Sequence, residues 1–447
     1  MSESTKPENP FKTASQAIIS QFVQSAVTLG SSEGWSPFPG VRTFRTGEDS
    51  EEGRKEEGQG VLPRSARWIF VVFAWLLCAA AIFTQGNPFA DPKFASNRQD
   101  SAAGVKATPF FKEEFINPGQ HLPMVHVASL AKTENGLRAA VWYGGSGECA
   151  PDVSIYFSAS PRPLGAWSQP RAVMTRLRAE RDLGRPVKSI GNAVLLANPD
   201  GSLRLLFVTI AMGRWSASQL NTCISRDGGA TWSPSERLTL SPLFNFSDLV
   251  RNLPISLAGG GWCVPVYQEF LGKFPELLWM QESGGGLIVR KSRIAGGCST
   301  LQPSLIPLDD KRAVALLRDV SDARRIFMSH SSDGGLNWSK PAPTNLPNPD
   351  AGIAGISLLD GEMLLAYNDS SHTRDNLSLA VSKDGGRFWE KIAVLESQRR
   401  ASFSYPFLGS SSNGLIRIAY TYKRLAIKMV SINSSWIAQQ EARKNKL

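Results

Sequence analysis

Polar residues able to do chemistry stand where otherwise apolar, strand-like runs begin or end. Arg318 with Asp319 closes the run 313–317, Arg251 with Asn252 follows Leu249-Val250, and Arg374 lies in Thr373-Arg374-Asp375-Asn376-Leu377. Tyr405 sits between Ser404 and Pro406, Gln302 precedes Pro303, Glu269 follows Tyr267, and Asp152 precedes the run 153–158. An arginine closing one strand is ordinarily a surface or salt-bridged residue. Several converging on one axis make a carboxylate pocket, because each planar guanidinium offers a fork of N–H donors that matches two carboxylate oxygens. Metal chemistry is disfavoured: the four histidines form no cluster and none of the five cysteines has metal-ligand spacing, so neither metal nor cofactor is expected.

What would bring such residues together is a repeat. Ser382-Lys383-Asp384-Gly385-Gly386-Arg387-Phe388-Trp389 has clear copies at Ser225-Arg226-Asp227-Gly228-Gly229-Ala230-Thr231-Trp232 and Ser332-Asp333-Gly334-Gly335-Leu336-Asn337-Trp338. Each reads as a hairpin tip in which the Asp carboxylate accepts N–H groups of its own turn and the glycines supply positive φ. The following Trp folds back as an apolar plug. Asp333 and Asp384 are 51 residues apart and Asp227 and Asp333 are 106 apart, about twice as far. The missing copy is Gln281-Glu282-Ser283-Gly284-Gly285-Gly286, without its Asp and Trp, and a further degenerate copy runs from Ser158-Ala159-Ser160 to Gly165-Ala166-Trp167-Ser168. Units of about 50 residues have the length of four-stranded propeller blades. Short β-branched and aromatic runs broken by turn residues also argue for an all-β ring. The expectation is a six-bladed β-propeller over 119–434, closed by pairing sequence from its two ends, with the boxes fixing the ring and not forming the site.

The rest of the chain reads as appendages. Residues 1–66 are expected to be a disordered cytoplasmic tail, with one short amphipathic helix possible around Ile18, Ile19, Phe22 and Val23. The uncharged run 68–84 follows Arg64 and Arg67 and is about long enough to cross a bilayer, so 67–85 is expected to be a transmembrane signal anchor with the lipid bilayer as partner. A cleaved signal peptide is the rival reading, weakened by the long segment in front. The basic flank places the N-terminus in the cytoplasm and the propeller on the periplasmic or extracytoplasmic side. Residues 86–118 read as a linker and 435–447 as a C-terminal tail. Cys149, Cys223, Cys263 and Cys298 then fall in an oxidising compartment, where disulfides and isolated thiols both remain open. The net charge of +10 is scattered, which argues against a nucleic-acid partner and suits an anionic one.

Three Asp boxes at propeller spacing, followed in order by Arg318, Arg374 and Tyr405, resemble the sialidase (neuraminidase) superfamily, specifically its bacterial branch of predicted sialidases with BNR-type repeats. Leu249-Val250-Arg251-Asn252, Pro275-Glu276-Leu277-Leu278, Leu301-Gln302-Pro303-Ser304-Leu305 and Tyr367-Asn368-Asp369 are similar to that branch, and the resemblance covers about 125–430. It implies an exo-glycosidase that clamps a substrate carboxylate with arginines, attacks with a Tyr polarised by a Glu, and uses an Asp as acid/base. A neutral phenol suits a substrate whose carboxylate would repel an anionic nucleophile.

On that resemblance Arg318 and Arg374 match the second and third arginines, Tyr405 the nucleophile and Asp152 the acid/base. Two positions depart from the pattern: His126 in His126-Val127-Ala128 stands for the first arginine, and Gln302, 16 residues before Arg318, stands for the glutamate. Glutamine cannot accept the phenol proton, and histidine clamps a carboxylate by charge only when protonated. Glu269 or Glu276 from a neighbouring strand is the candidate replacement base, and Arg251 is a further candidate for substrate binding. The implied substrate is a glycan ending in a sialic or related acidic sugar. Two other readings keep the fold: a uronate-acting hydrolase or lyase using His126 with Tyr405 as base and acid, and a non-catalytic glycan-binding propeller.

Overall fold

The computed structural model describes residues 91–95 and 108–444, apart from positions 134, 163, 242–244, 246, 271, 284, 285, 359, 360 and 411–413. The tail 1–66 and the apolar span 67–85 lie outside the described residues. Among the described residues no helix is long and apolar enough to cross a membrane.

Six antiparallel sheets form six propeller blades, as the repeat spacing predicts. Their innermost strands are Met124–Lys132, Ser189–Ala197, Leu249–Val250 with Ile255–Ser256, Thr300–Pro307, Ala354–Ser357 and Phe403–Ser410, numbered here as blades one to six. Inner strands are sandwiched between neighbouring blades, so both faces need apolar side chains and the alternation disappears. Arg138–Gly145 and Leu203–Ile210 are buried at every position, whereas the outer strand Gly286–Arg293 alternates between exposed and half-buried. Six apolar clusters fill the interfaces among the described residues, one between each adjacent pair of blades.

The ring closes by pairing its two ends. In blade six the order outward is Phe403–Ser410, Ile416–Tyr422, Ala426–Ile432 and then Phe111–Phe115, with Phe111 opposite Ile432 and Phe115 opposite Lys428. That last strand comes from the stretch read above as linker. Its sequence, Phe-Lys-Glu-Glu-Phe, hides it because an outermost strand faces water on one side and need not be apolar. Phe94 from the same stretch bridges to Leu257, donates its N–H to Asp310, and is fully buried between blades three and four. The C-terminal tail is also structured. Helix Ser434–Lys444 starts where the Asn433 carboxamide oxygen accepts the N–H of Trp436, and it packs Ile437 into the interface of blades five and six.

The boxes do what their residues suggest. Asp227 accepts from Ser225 Oγ and from both the N–H and Oγ1 of Thr231, while Ser225 Oγ accepts from Gly229 N at 2.7 Å. Gly228 and Gly229 have φ of 69° and 94°, and the same pattern recurs at Gly334 and Gly335 and at Gly385 and Gly386. Each box follows the third strand of its blade. Since strands alternate in direction, the boxes lie at the face of the ring opposite the beginnings of the inner strands. Cys149, Cys223, Cys263 and Cys298 are all free thiols, the first three of them buried.

Candidate active site

The beginnings of four inner strands carry the same irregularity. Between His126 and Ser129, Gly191 and Val194, Leu301 and Ser304, and Ser404 and Phe407, two residues oppose a single residue on the neighbouring strand. The first residue of each bulge has positive φ: Val127 at 49°, Asn192 at 40°, Gln302 at 51° and Tyr405 at 54°. Non-glycine residues adopt this region at a cost of about 1–3 kcal/mol each and hold it only where the surroundings demand it. A bulge bends its strand and re-aims a side chain. Repeated around the ring, it gathers side chains from different blades at one end of the axis.

Tyr405 is the half-buried centre of that gathering. The Arg251 and Arg374 guanidinium carbons lie 5.1 and 5.6 Å from its ring centre, and the His126 ring meets it edge-on at 4.7 Å. Burial alone would raise the phenol's pKa. The positive field of Arg318, Arg374 and Arg251 outweighs both burial and the opposing charge of Glu148, so the pKa falls below its usual value. The three arginines have different duties. Arg251 is 3% exposed and its two terminal nitrogens donate to the backbone oxygens of Ile353 and Pro406 and to Asn252, so it fixes the bulge that presents Tyr405. Arg318 pairs with Asp350 at 2.6 Å, donates to Gln302 Oε1 at 3.1 Å, and is held firmly protonated despite its burial by Tyr405 and Asp350. Arg374 donates to the Asp350 backbone oxygen at 2.5 Å. Asp350 thus orients both arginines through different atoms.

Around this centre lie three further groups. Gln302 donates from Nε2 to Tyr267 Oη at 3.1 Å, and Asn192 donates to the same oxygen at 3.0 Å, tying blades two, three and four together under Arg318. Tyr267 is buried, and burial together with the charge of Glu269 keeps it a neutral phenol. His126 is 1% exposed, and neither ring nitrogen has a hydrogen-bond partner among the described residues. Burial and the charges of Arg424, Arg374 and Arg251 drive its pKa well below the usual histidine value, so it is neutral at physiological pH. Glu148 reaches in from the loop after Arg138–Gly145, with its Oε1 3.4 Å from His126 Nε2 and 2.5 Å from Arg424 Nη2. Arg424 lies in the hairpin between the second and third strands of blade six, whose backbone oxygen accepts from Val125.

The profile of the BNR repeat-like domain family matches residues 137–418, more than half of the chain. The chain belongs to that family. As a sialidase-like propeller it is similar to the Hadza microbial sialidase Hz136, at 18% identity and a TM-score of 0.59, over 70% of this chain and 66% of that one. It is also similar to the leech intramolecular trans-sialidase, at 12% identity and TM-score 0.57, over 75% of this chain and 72% of that one. A Dyadobacter fermentans protein whose function is unknown shares 14% identity at TM-score 0.59, over 72% of this chain and 99% of that one. At these identities the likeness concerns the fold. No curated protein sequence matches the chain.

In this BNR propeller the residues singled out from sequence fall into two groups. His126, Arg251, Gln302, Arg318, Arg374 and Tyr405 come together at one end of the axis. Asp152 caps its own loop instead, accepting from the N–H and Oγ of Ser146, both at 2.8 Å, which lowers its pKa and leaves it exposed. Glu269 pairs loosely with Lys273 at 3.7 Å and acts on Tyr267. Glu276 is buried in a separate cluster with Lys291 and Asp248. Four contributors escaped the sequence reading: Glu148, Asn192, Asp350 and Arg424. Asn192 had a signal, since Asn192-Ala193 occupies in blade two the place of Gln302-Pro303 in blade four. The others come from loops, where no periodicity marks them.

Proposed function

We propose that this chain is an exo-glycosidase of sialidase type that releases a terminal acidic sugar, a sialic or related acid, from glycans. The observation that carries the reading is Tyr405 set among Arg318, Arg374 and Arg251 with its pKa lowered by them. Arg318 and Arg374 are the carboxylate clamp and Tyr405 is the nucleophile, attacking the anomeric carbon from a site already biased toward phenolate. Arg251 acts one step back by holding the bulge. The arginine missing at His126 is not replaced by an imidazolium, because that histidine is neutral. Clamping therefore rests on two guanidinium groups.

A second reading draws on the same His126 contact. A neutral imidazole against a phenol is also a base and acid pair for β-elimination on a uronate, with the arginines neutralising its carboxylate. Anchoring in a membrane through 67–85, with the propeller outside the cytoplasm, is likewise part of the proposal and rests on the sequence pattern there.

The test is to purify the full chain in detergent and assay a fluorogenic aryl sialoside and uronate-containing oligosaccharides from pH 4 to 8. Sialoside turnover abolished in Tyr405→Phe supports the first reading. Unsaturated product from the uronates would replace it with the second, and turnover of neither would leave a glycan-binding propeller.

A further inference from the structure

The Tyr405 site lacks a carboxylate at Gln302 and Asp350 is committed to Arg318 at 2.6 Å, yet a second carboxylate reaches the phenol's surroundings. Glu148 is that group, and its negative charge opposes the ionisation of Tyr405. It lies 3.4 Å from His126 Nε2, and His126 in turn meets the Tyr405 ring at 4.7 Å. His126 is a buried side chain with two unpartnered nitrogens, a costly arrangement that a purely structural residue avoids. A neutral imidazole can accept a proton at one nitrogen and release one at the other without ever carrying net charge. Arg424 holds Glu148 at 2.5 Å from a hairpin that is itself docked on the strand of His126.

We infer that Glu148, coupled through His126, is the proton carrier for Tyr405, in place of the carboxylate lost at Gln302 and of the loop-capping Asp152. This rests on the sialidase-type reading. In the first half-reaction the Tyr405 oxygen bonds the anomeric carbon, the phenol proton passes to Glu148, and Glu148 returns a proton to the departing glycosidic oxygen. The bond to the leaving group breaks with its electron pair on that oxygen. In the second half-reaction a water oxygen bonds the anomeric carbon, its proton goes to the same carrier, and Tyr405 leaves with a proton restored. One carboxylate suffices because each half-reaction gives back the proton it takes.

Two measurements on the full-length chain test this. The first compares Glu148→Gln and Asp152→Asn on an activated aryl sialoside and on sialyllactose, whose leaving group needs protonation. Loss of a proton donor falls hardest on the poor leaving group, so Glu148→Gln is expected to cost roughly 10-fold on the first substrate and on the order of 10³-fold on the second. The leaving-group bias appearing in Asp152→Asn and not in Glu148→Gln would overturn the assignment while leaving the sialidase reading intact.

The second measurement needs no turnover. Ultraviolet titration of the wild type minus Tyr405→Phe isolates Tyr405, which is faced by Arg251, Arg318, Arg374, Glu148 and His126 and by the buried phenols Tyr143 and Tyr267, whose own ionisation is raised by burial. Removing the Glu148 charge is expected to let Tyr405 ionise about half a pH unit or more lower. An unmoved titration overturns the coupling. If the wild type turns over neither sialoside, the functional reading fails, and this titration alone decides whether Glu148 and Tyr405 act together.

Discussion

His126 and Tyr405 meet edge to face at 4.7 Å, and the histidine is held neutral by burial and by Arg424, Arg374 and Arg251, the last two of which also pull the tyrosine toward phenolate. The positive field works in one direction on both groups: it disfavours a second cation and favours an anion. A histidine whose pKa is lower in the folded than in the unfolded chain costs stability as acid is added. Below about pH 6.5 the unfolded chain takes up the proton that the fold refuses, by up to about 1.4 kcal/mol per pH unit. The expected outcome is that His126→Gln loses less of its thermal midpoint between pH 7.5 and pH 5.5 than the wild type does. Parallel midpoints would show that the histidine is not held neutral.

Gly352 keeps Tyr405 in place by having no side chain. A Cβ there would meet Tyr405 Cδ1 at 2.8 Å and the Arg251 guanidinium carbon at 2.9 Å. Neither neighbour can retreat cheaply, because Arg251 is bonded to Ile353 and Pro406 and Tyr405 sits on a bulge. Gly352→Ala is expected to leave the fold assembled and to lower kcat on the aryl sialoside about 10²-fold, the scale of a small misplacement of a reacting group. Circular dichroism checks the first part and steady-state kinetics the second; unchanged kcat would mean that the phenol position is not critical.

The ring was legible because its periodic features are local. Asp227, Asp333 and Asp384 satisfy their own turns, so the motif survives wherever the turn is needed and its spacing reports blade length directly. Arg318, Arg374 and Tyr405 were legible because they end or interrupt apolar strands. The closing strand Phe111–Phe115 was not, since an outermost strand carries no apolar demand on its exposed face. Glu148 and Arg424 were hidden for a different reason. They lie 276 residues apart on two loops and are brought together only because blade six abuts blade one. Sequence alone does not choose between Asp152 and Glu148: both follow Arg138–Gly145 on one loop, and spacing along a loop does not say which carboxylate serves the site.

The boxes should matter for stability and not for chemistry. Asp227 has its pKa lowered to about 2, chiefly by hydrogen bonds from Thr231 and Ser225. A carboxylate with a lowered folded-state pKa stabilises the fold above its unfolded value near 4, and that contribution is lost as pH falls toward 2. Asp227→Ala is therefore expected to lower the thermal midpoint at pH 7 and to show a smaller further drop between pH 4 and pH 2.5 than the wild type. Its kcat/KM should be essentially unchanged, since the box lies at the face of the ring opposite the beginnings of the inner strands that carry the site. A large kinetic defect at temperatures where the variant is folded would place the boxes nearer the chemistry than the topology does.

Gln302→Glu separates two accounts of the altered site. If Gln302 is a disabled base, restoring the carboxylate should raise activity. The geometry argues otherwise: Gln302 Oε1 accepts from Arg318 and its Nε2 donates to Tyr267, which also accepts from Asn192. A carboxylate there would keep the Arg318 contact and accept the Tyr267 hydroxyl proton in place of donating to it, so the fold should tolerate the change. Its charge would offset part of the Arg318 field at Tyr405 and raise the phenol's pKa. The expected result is a near-normal thermal midpoint, a Tyr405 titration moved upward, and no gain in kcat on the aryl sialoside. A gain of about 10-fold or more would show that the 302 side chain serves Tyr405 directly and that the Glu148 carrier is not needed.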